Sequence, residues 1–147
     1  MPVYTVVGWK TQKRDPTISW FDAPRAMAAV DAGYATFATL DGWRPIAVFA
    51  GKHRAVASMV EVRARGADHR PAIGRTLPFT VVGFWRHSGE SICRQLVGGD
   101  GIEAMLLALA RLGLLDELTL TNALSGHLTP AITSENLPVS YGDRWGD

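Results

Sequence analysis

Apolar and polar positions alternate with a helical period most clearly over residues 100–115, Asp-Gly-Ile-Glu-Ala-Met-Leu-Leu-Ala-Leu-Ala-Arg-Leu-Gly-Leu-Leu. At about 100° per residue, Ile102, Met105, Leu106, Leu109 and Leu112 share one side, as a core-facing helix requires. Asp100 is suited to cap its first turn and Gly113 to end it in the left-handed conformation. A shorter helix is expected over about 22–32, with Asp22 as cap, Pro24 in the first turn, and small residues (Ala26, Ala29, Val30, Gly33) on its inner side.

Period-two and β-branched stretches supply the strands. Residues 3–9 read as one strand and 10–16 as its polar exit. Tyr34 to Leu40, Asp41-Gly42 and Trp43 to Ala50 read as a hairpin, because Asp-Gly tolerates the positive φ of a two-residue turn. Over 56–65, Val60, Val62 and Ala64 alternate with Glu61, Arg63 and Arg65, which predicts a strand with one wet face. Residues 66–78 form a long irregular loop, and 79–87 are apolar on both faces, as in a strand covered from two sides. Between 88 and 99 the pattern allows a short helix or a strand, with the helix preferred. Residues 118–122 alternate as a last strand, and from about 123 Gly126, Pro130, Pro138 and Gly142 interrupt any period. No internal repeat stands out. Together these elements predict a single α+β domain over 1–147: a largely antiparallel sheet carrying one long apolar helix, about 100–113, and one shorter helix, about 22–32.

Composition narrows the class of protein. The chain has 147 residues, 47% hydrophobic and 20% charged, enough for one substantial core. No run reaches the roughly 18 apolar residues of a membrane span, and Met1-Pro2-Val3-Tyr4 does not resemble a secretory leader, so a cytoplasmic location is expected. Cys93 is the sole cysteine. The net charge of +1 hides an asymmetry: residues 1–94 carry 13 Lys/Arg against 7 Asp/Glu, and 95–147 carry 2 against 7. A basic face through Lys13, Arg14, Lys52, Arg54, Arg70 and Arg75 would attract anions, nucleic acid being the less favoured partner.

Several constellations could carry chemistry. Cys93 and His87 are the one thiol and imidazole close in sequence, a pairing that could activate a nucleophile, against the alternative of a small buried side chain. His53, His69, His87 and His127, with Asp68 and Asp100 nearby, lack the spacing of a zinc site, so no metal or cofactor is expected. Gly98, Gly99 and Gly101 precede the main helix and could expose amides to an anion, although Asp100 competes for that end. Trp9, Trp20, Trp43, Trp85 and Tyr34 could line an apolar ligand pocket. Leu107 and Leu114 share the side of the main helix with Glu103 and Arg111, which suggests cover by the C-terminal segment or by a second copy in a homodimer.

Val97-Gly98-Gly99 with the following helix and Gly113-Leu-Leu-Asp-Glu-Leu-Thr-Leu-Thr121, together with Val7-Gly8-Trp9-Lys10-Thr11, resembles the dihydrofolate-reductase-like fold, including riboflavin-pathway reductases. That resemblance covers part of the chain and implies a nicotinamide cofactor near Gly98 and Gly99. Gln95-Leu-Val-Gly98 resembles the acyl-coenzyme A loop of acetyltransferases, but Asp100 stands where that pattern has Gly or Ala. The reading favoured from the residues is a non-enzymatic binding module for a small apolar molecule or a protein partner, with an enzyme at the Gly98-Gly99 turn and a nucleic-acid binder as alternatives.

Overall fold

The computed structural model describes residues 1–70, 74–112 and 117–137. The chain is α+β, with strands β1 (Val3–Lys10), β2 (Asp15–Asp22), β3 (Arg44–Ala50), β4 (Ala55–Ser58), β5 (Leu77–Trp85), β6 (Ser91–Gly98) and β7 (Leu118–Ser125). Its helices are α1 (Ala26–Asp41), α2 (Met59–Arg65) and α3 (Gly101–Leu112). The strands form two antiparallel sheets rather than one, ordered β2-β1-β3 and β4-β7-β5-β6. Among the described residues, no helix is long and apolar enough to cross a membrane.

Alternation along the strands explains the layering. Val7, Trp9, Ile46 and Phe49 of the first sheet meet Val82, Phe84 and Leu124 of the second in a core between the sheets. Their neighbours Val6 and Val48 face outward against Ala29, Val30 and Trp43 under α1. Likewise Phe79, Val81 and Leu120 face outward against Ile102, Ala104 and Met105 of α3. The result is four layers, helix, sheet, sheet, helix, with α2 beside α3.

Several expectations need correction. Residues 34–41 belong to α1 and form no hairpin strand; Gly42, at φ +68, ends the helix instead of turning a hairpin. The first helix is therefore the longer, 16 residues against 12 for α3. It starts at Ala26 after Arg25, because Asp22 is paired with Val3 in β2, a strand that the polar 10–16 stretch did not suggest. Only Ala55–Ser58 of the expected 56–65 strand is extended; Ser58 then accepts from Glu61 N and starts α2. Residues 91–98 form strand β6, whose Ile92 and Leu96 face the outer core, rather than a helix. Beyond 125 the chain stays ordered far enough for Ile132 to bridge Val48 and for a 3-10 turn at Ser134–Asn136.

The expectation of no internal repeat fails most completely. β1-β2-α1-β3 and β5-β6-α3-β7 have one topology, a hairpin, a helix, and a third strand returning antiparallel to the first. They also share one register at an offset of 75 residues, the separation of Thr5 from Thr80. Thr5 pairs with Trp20 and Phe49, and Thr80 pairs with Gln95 and Leu124. Bulges fall at Val7/Gly8 and Val82/Gly83, inside the repeated Thr-Val-Val-Gly of 5–8 and 80–83. Thr5 Oγ1 donates to Gly51 O (2.7 Å) and accepts from His53 N (2.9 Å). Thr80 Oγ1 repeats this with Gly126 O and Leu128 N, both 2.8 Å. The arms that follow are exchanged: Ala57 of the first half pairs with Ala123 of the second, and Ile132 of the second bridges Val48 of the first.

Candidate anion site

The internal twofold relation brings Trp9 and Phe84, equivalent residues, edge to face with ring centroids 5.4 Å apart. Beside them is a recess of about 50 Å³, lined by Trp9, Phe84, Thr119, Arg14, Arg63 and Arg86. Each guanidinium comes from a different place: Arg14 from the β1–β2 turn, Arg63 from α2, and Arg86 from just beyond β5. Arg63 reaches the recess only because the exchanged arm carries α2 onto the second half. Among the described residues, no carboxylate is ion-paired with any of the three; Glu61 pairs with Arg65, and Glu117 with His87. A guanidinium does not shed its proton in a protein, so three permanent positive charges, exposed to solvent and paired with no carboxylate among the described residues, line a partly apolar wall. The Trp9 ring is 97% buried, and its indole N–H has no acceptor among the described residues.

Arg14 holds an unusual backbone. At φ +56 it is the one non-glycine residue in the left-handed region among those described, and its N donates to Lys10 O at 2.7 Å. The same turn in the second half uses Gly89, at φ +74, whose N donates to Trp85 O at 2.7 Å. A side chain there costs about 1 kcal/mol that glycine avoids. The first half keeps arginine at the strained position and thereby places a cation at the rim.

The other expected residues are dispersed over the layers. Trp43 packs under α1, against Tyr34 (5.1 Å, edge to face) and Phe37 (5.6 Å, stacked), and its Nε1 donates to Thr17 Oγ1 at 2.9 Å. Trp20, 40% exposed on β2, donates to His53 O and lies beneath Lys52 Nζ, 4.7 Å from the ring centroid. Trp85 packs on the outer core of the second sheet. Of these five aromatic residues, Trp9 alone lines the recess.

Cys93 packs against the core between the sheets, at the position equivalent to Ile18, and burial pushes its thiol from 9.0 up to about 11 despite neighbouring Arg94. His87 lies in the β5–β6 turn, with Nε2 2.8 Å from Glu117 Oε1. The two are separate, and the thiol is held protonated at neutral pH. At the start of α3, Glu103 N donates to Asp100 Oδ1 (2.9 Å) and Gly99 N to Glu103 Oε2 (3.0 Å). His69 Nε2 lies 2.6 Å from Asp100 Oδ2. Two carboxylates therefore occupy the end where Gly98, Gly99 and Gly101 were expected to offer amides to an anion. Gly101 is itself closed in, since a Cβ there would lie 2.8 Å from Val56. Leu107 is half-buried on the outer core, and Leu114 lies outside the described residues.

Of the recess residues, Trp9 and Arg14 stand out in the sequence, Phe84 and Arg86 belong to its interleaved aromatic and basic residues, and Arg63 and Thr119 do not stand out. The repeated Thr-Val-Val-Gly is the signal that could have matched Trp9 with Phe84. Comparison with protein-family models, curated proteins and solved structures gave no match, so neither the reductase-like nor the acetyltransferase-like resemblance gains support.

Proposed function

We propose that the chain is a non-enzymatic binding module whose ligand presents an anionic group to the recess between the two halves. The observation that carries this is the convergence of Arg14, Arg63 and Arg86, unpaired by carboxylates among the described residues, beside Trp9 and Phe84. Like charges brought together from three elements repel one another, and a bound anion converts that repulsion into attraction and charge-assisted hydrogen bonds. Among the described residues that line the recess, Thr119 supplies one hydroxyl and none is a general base. The apolar ligand expected from the aromatic content finds less support, because the indoles sit in different layers.

Titrating small anions into isotope-labelled protein at low salt tests the reading. Saturable shifts of the Trp9 indole N–H and of the three arginine Nε–H signals are expected, weakening as salt is raised. Shifts that stay linear in anion concentration, or that spread over Lys52, Arg54, Arg70 and Arg75 instead, would refute it.

A further inference from the structure

We infer that the anion is a phosphate dianion, held at one site per chain; this rests on the anion-binding reading above. Charge is the first reason. Three solvent-exposed arginines line one recess of about 50 Å³, and a doubly charged group gains more from them than a singly charged one. Shape is the second. The arginines belong to the β1–β2 turn, to α2 and to the end of β5, three separate places on the rim, and a tetrahedral group with three terminal oxygens has one to offer each. A carboxylate has only two oxygens, in one plane. The backbone phosphodiester of a nucleic acid carries a single charge and has two of its four oxygens tied up in ester bonds. Size is the third, since the recess admits a head group and leaves the rest of any ligand outside.

Single occupancy follows from the way the repeat is broken. At the 75-residue offset, Arg14 corresponds to Gly89, Arg86 to Thr11 and Thr119 to the buried Arg44. The left-handed position of the second half's turn is Gly89 and the place of Arg86 in the first half is Thr11, so the arginine cluster is built once. Arg14 occupies its position against the preference of the backbone, which the other half meets with glycine. Strain kept where a relaxed alternative exists within the same chain points to a task for the side chain.

Isothermal titration of the full chain at pH 8 and low salt, with inorganic phosphate, phenyl phosphate, phenyl sulfate, benzoate and an oligonucleotide lacking terminal phosphates, provides the test. One equivalent of a phosphate dianion should bind at least about tenfold tighter than either monoanion. Tighter binding of inorganic phosphate identifies the free ion as the ligand form, and tighter binding of phenyl phosphate identifies a monoester. Arg14→Gly should weaken phosphate at least about tenfold while raising the melting temperature, and Arg63→Ala should weaken it comparably with little change in melting. Equal affinity for phosphate, sulfate ester and benzoate would leave an anion recess but overturn the dianion. Two sites per chain, an oligonucleotide that binds as tightly as phenyl phosphate, or an Arg14→Gly variant of unchanged affinity would overturn it equally. If none of the anions binds, the binding-module reading itself falls.

Discussion

A single side chain in this fold is judged by which of the four layers receives it. Cys93 looks like a nucleophile in the sequence because thiols are rare and reactive, yet the ladder with Val82 turns it toward the core between the sheets. Burial raises the thiol to about 11, so at pH 8 it should react with iodoacetamide far more slowly than the same thiol in urea-unfolded chain. The linkage has a definite sign. The folded chain holds the thiol proton more tightly than the unfolded one, so this contribution to stability is complete below pH 9.0 and is lost as the pH rises through about 11. Denaturant midpoints measured across that window should fall, and Cys93→Ala should remove the thiol's share of the fall; equal slopes for the two proteins would contradict the assignment. Gly8 is decided by the same layering. A Cβ there would overlap Trp43 Nε1, and that ring is held by Thr17, Tyr34 and Phe37. Gly8→Ala should therefore cost about 1–3 kcal/mol by overpacking, read from urea denaturation.

At the scale of elements, each segment whose structure departs from its sequence pattern carries a local signal that a longer-range contact outweighs. Residues 34–41 contain Tyr34, Thr36, Phe37 and Thr39, a strand-like composition, but the helix is held by Tyr34 and Phe37 packing on Trp43. Val60, Val62 and Ala64 alternate, but Ser58-Met-Val-Glu61 is also a capping signature, and Val62 is the one buried residue of α2. Residues 91–98 show little alternation because Cys93 is only partly buried while Arg94 and Gln95 are exposed. The elements that are legible, β1, β3, β5, β7 and α3, are those whose own apolar pattern is strong enough to fix the face. Comparing the halves also exposes unequal capping. Asp100 caps α3, whereas its counterpart Arg25 takes an extended N-cap backbone (φ −156, ψ 163) and supplies no side-chain acceptor to α1. Asp100→Ala should cost about 0.5–2 kcal/mol, and Arg25→Asp should gain about 1 kcal/mol by giving α1 the missing acceptor and a favourable charge at its positive end. Denaturant midpoints that move with unchanged m-value would show both; a destabilised Arg25→Asp would mean that the halves are not equivalent at their helix starts.

For the whole molecule, the repeat is hard to read because the fold constrains faces and volumes more than identities. Val48 matches Ala123, Trp43 matches Leu118 and Val30 matches Met105, each buried on both sides of the comparison, while identity persists mainly in Thr-Val-Val-Gly, in the paired Ala29 and Ala104, and in Gly51 and Gly126. The recess is harder still, since it depends on Arg63 arriving through an exchanged arm and on Phe84 meeting Trp9 across the two sheets. The same interdependence governs folding. A separated first half would expose Val7, Trp9, Ile46 and Phe49 on the inner face of its sheet, and its β4 would have lost β7. Burial of such side chains is worth roughly 1.5–3 kcal/mol each, comparable in sum to the whole stability of a domain of this size. Fragments 1–75 and 76–147 prepared separately should therefore be unfolded or self-associated, and an equimolar mixture should recover a 1:1 complex with one cooperative melt, followed by sedimentation and circular dichroism. The first fragment has the register needed to pair with a second copy of itself, so a 1–75 homodimer is the self-association expected of it. A monomeric 1–75 that melts cooperatively would show that its sheet needs no partner, and the single core shared between the two halves would not be what holds the molecule together.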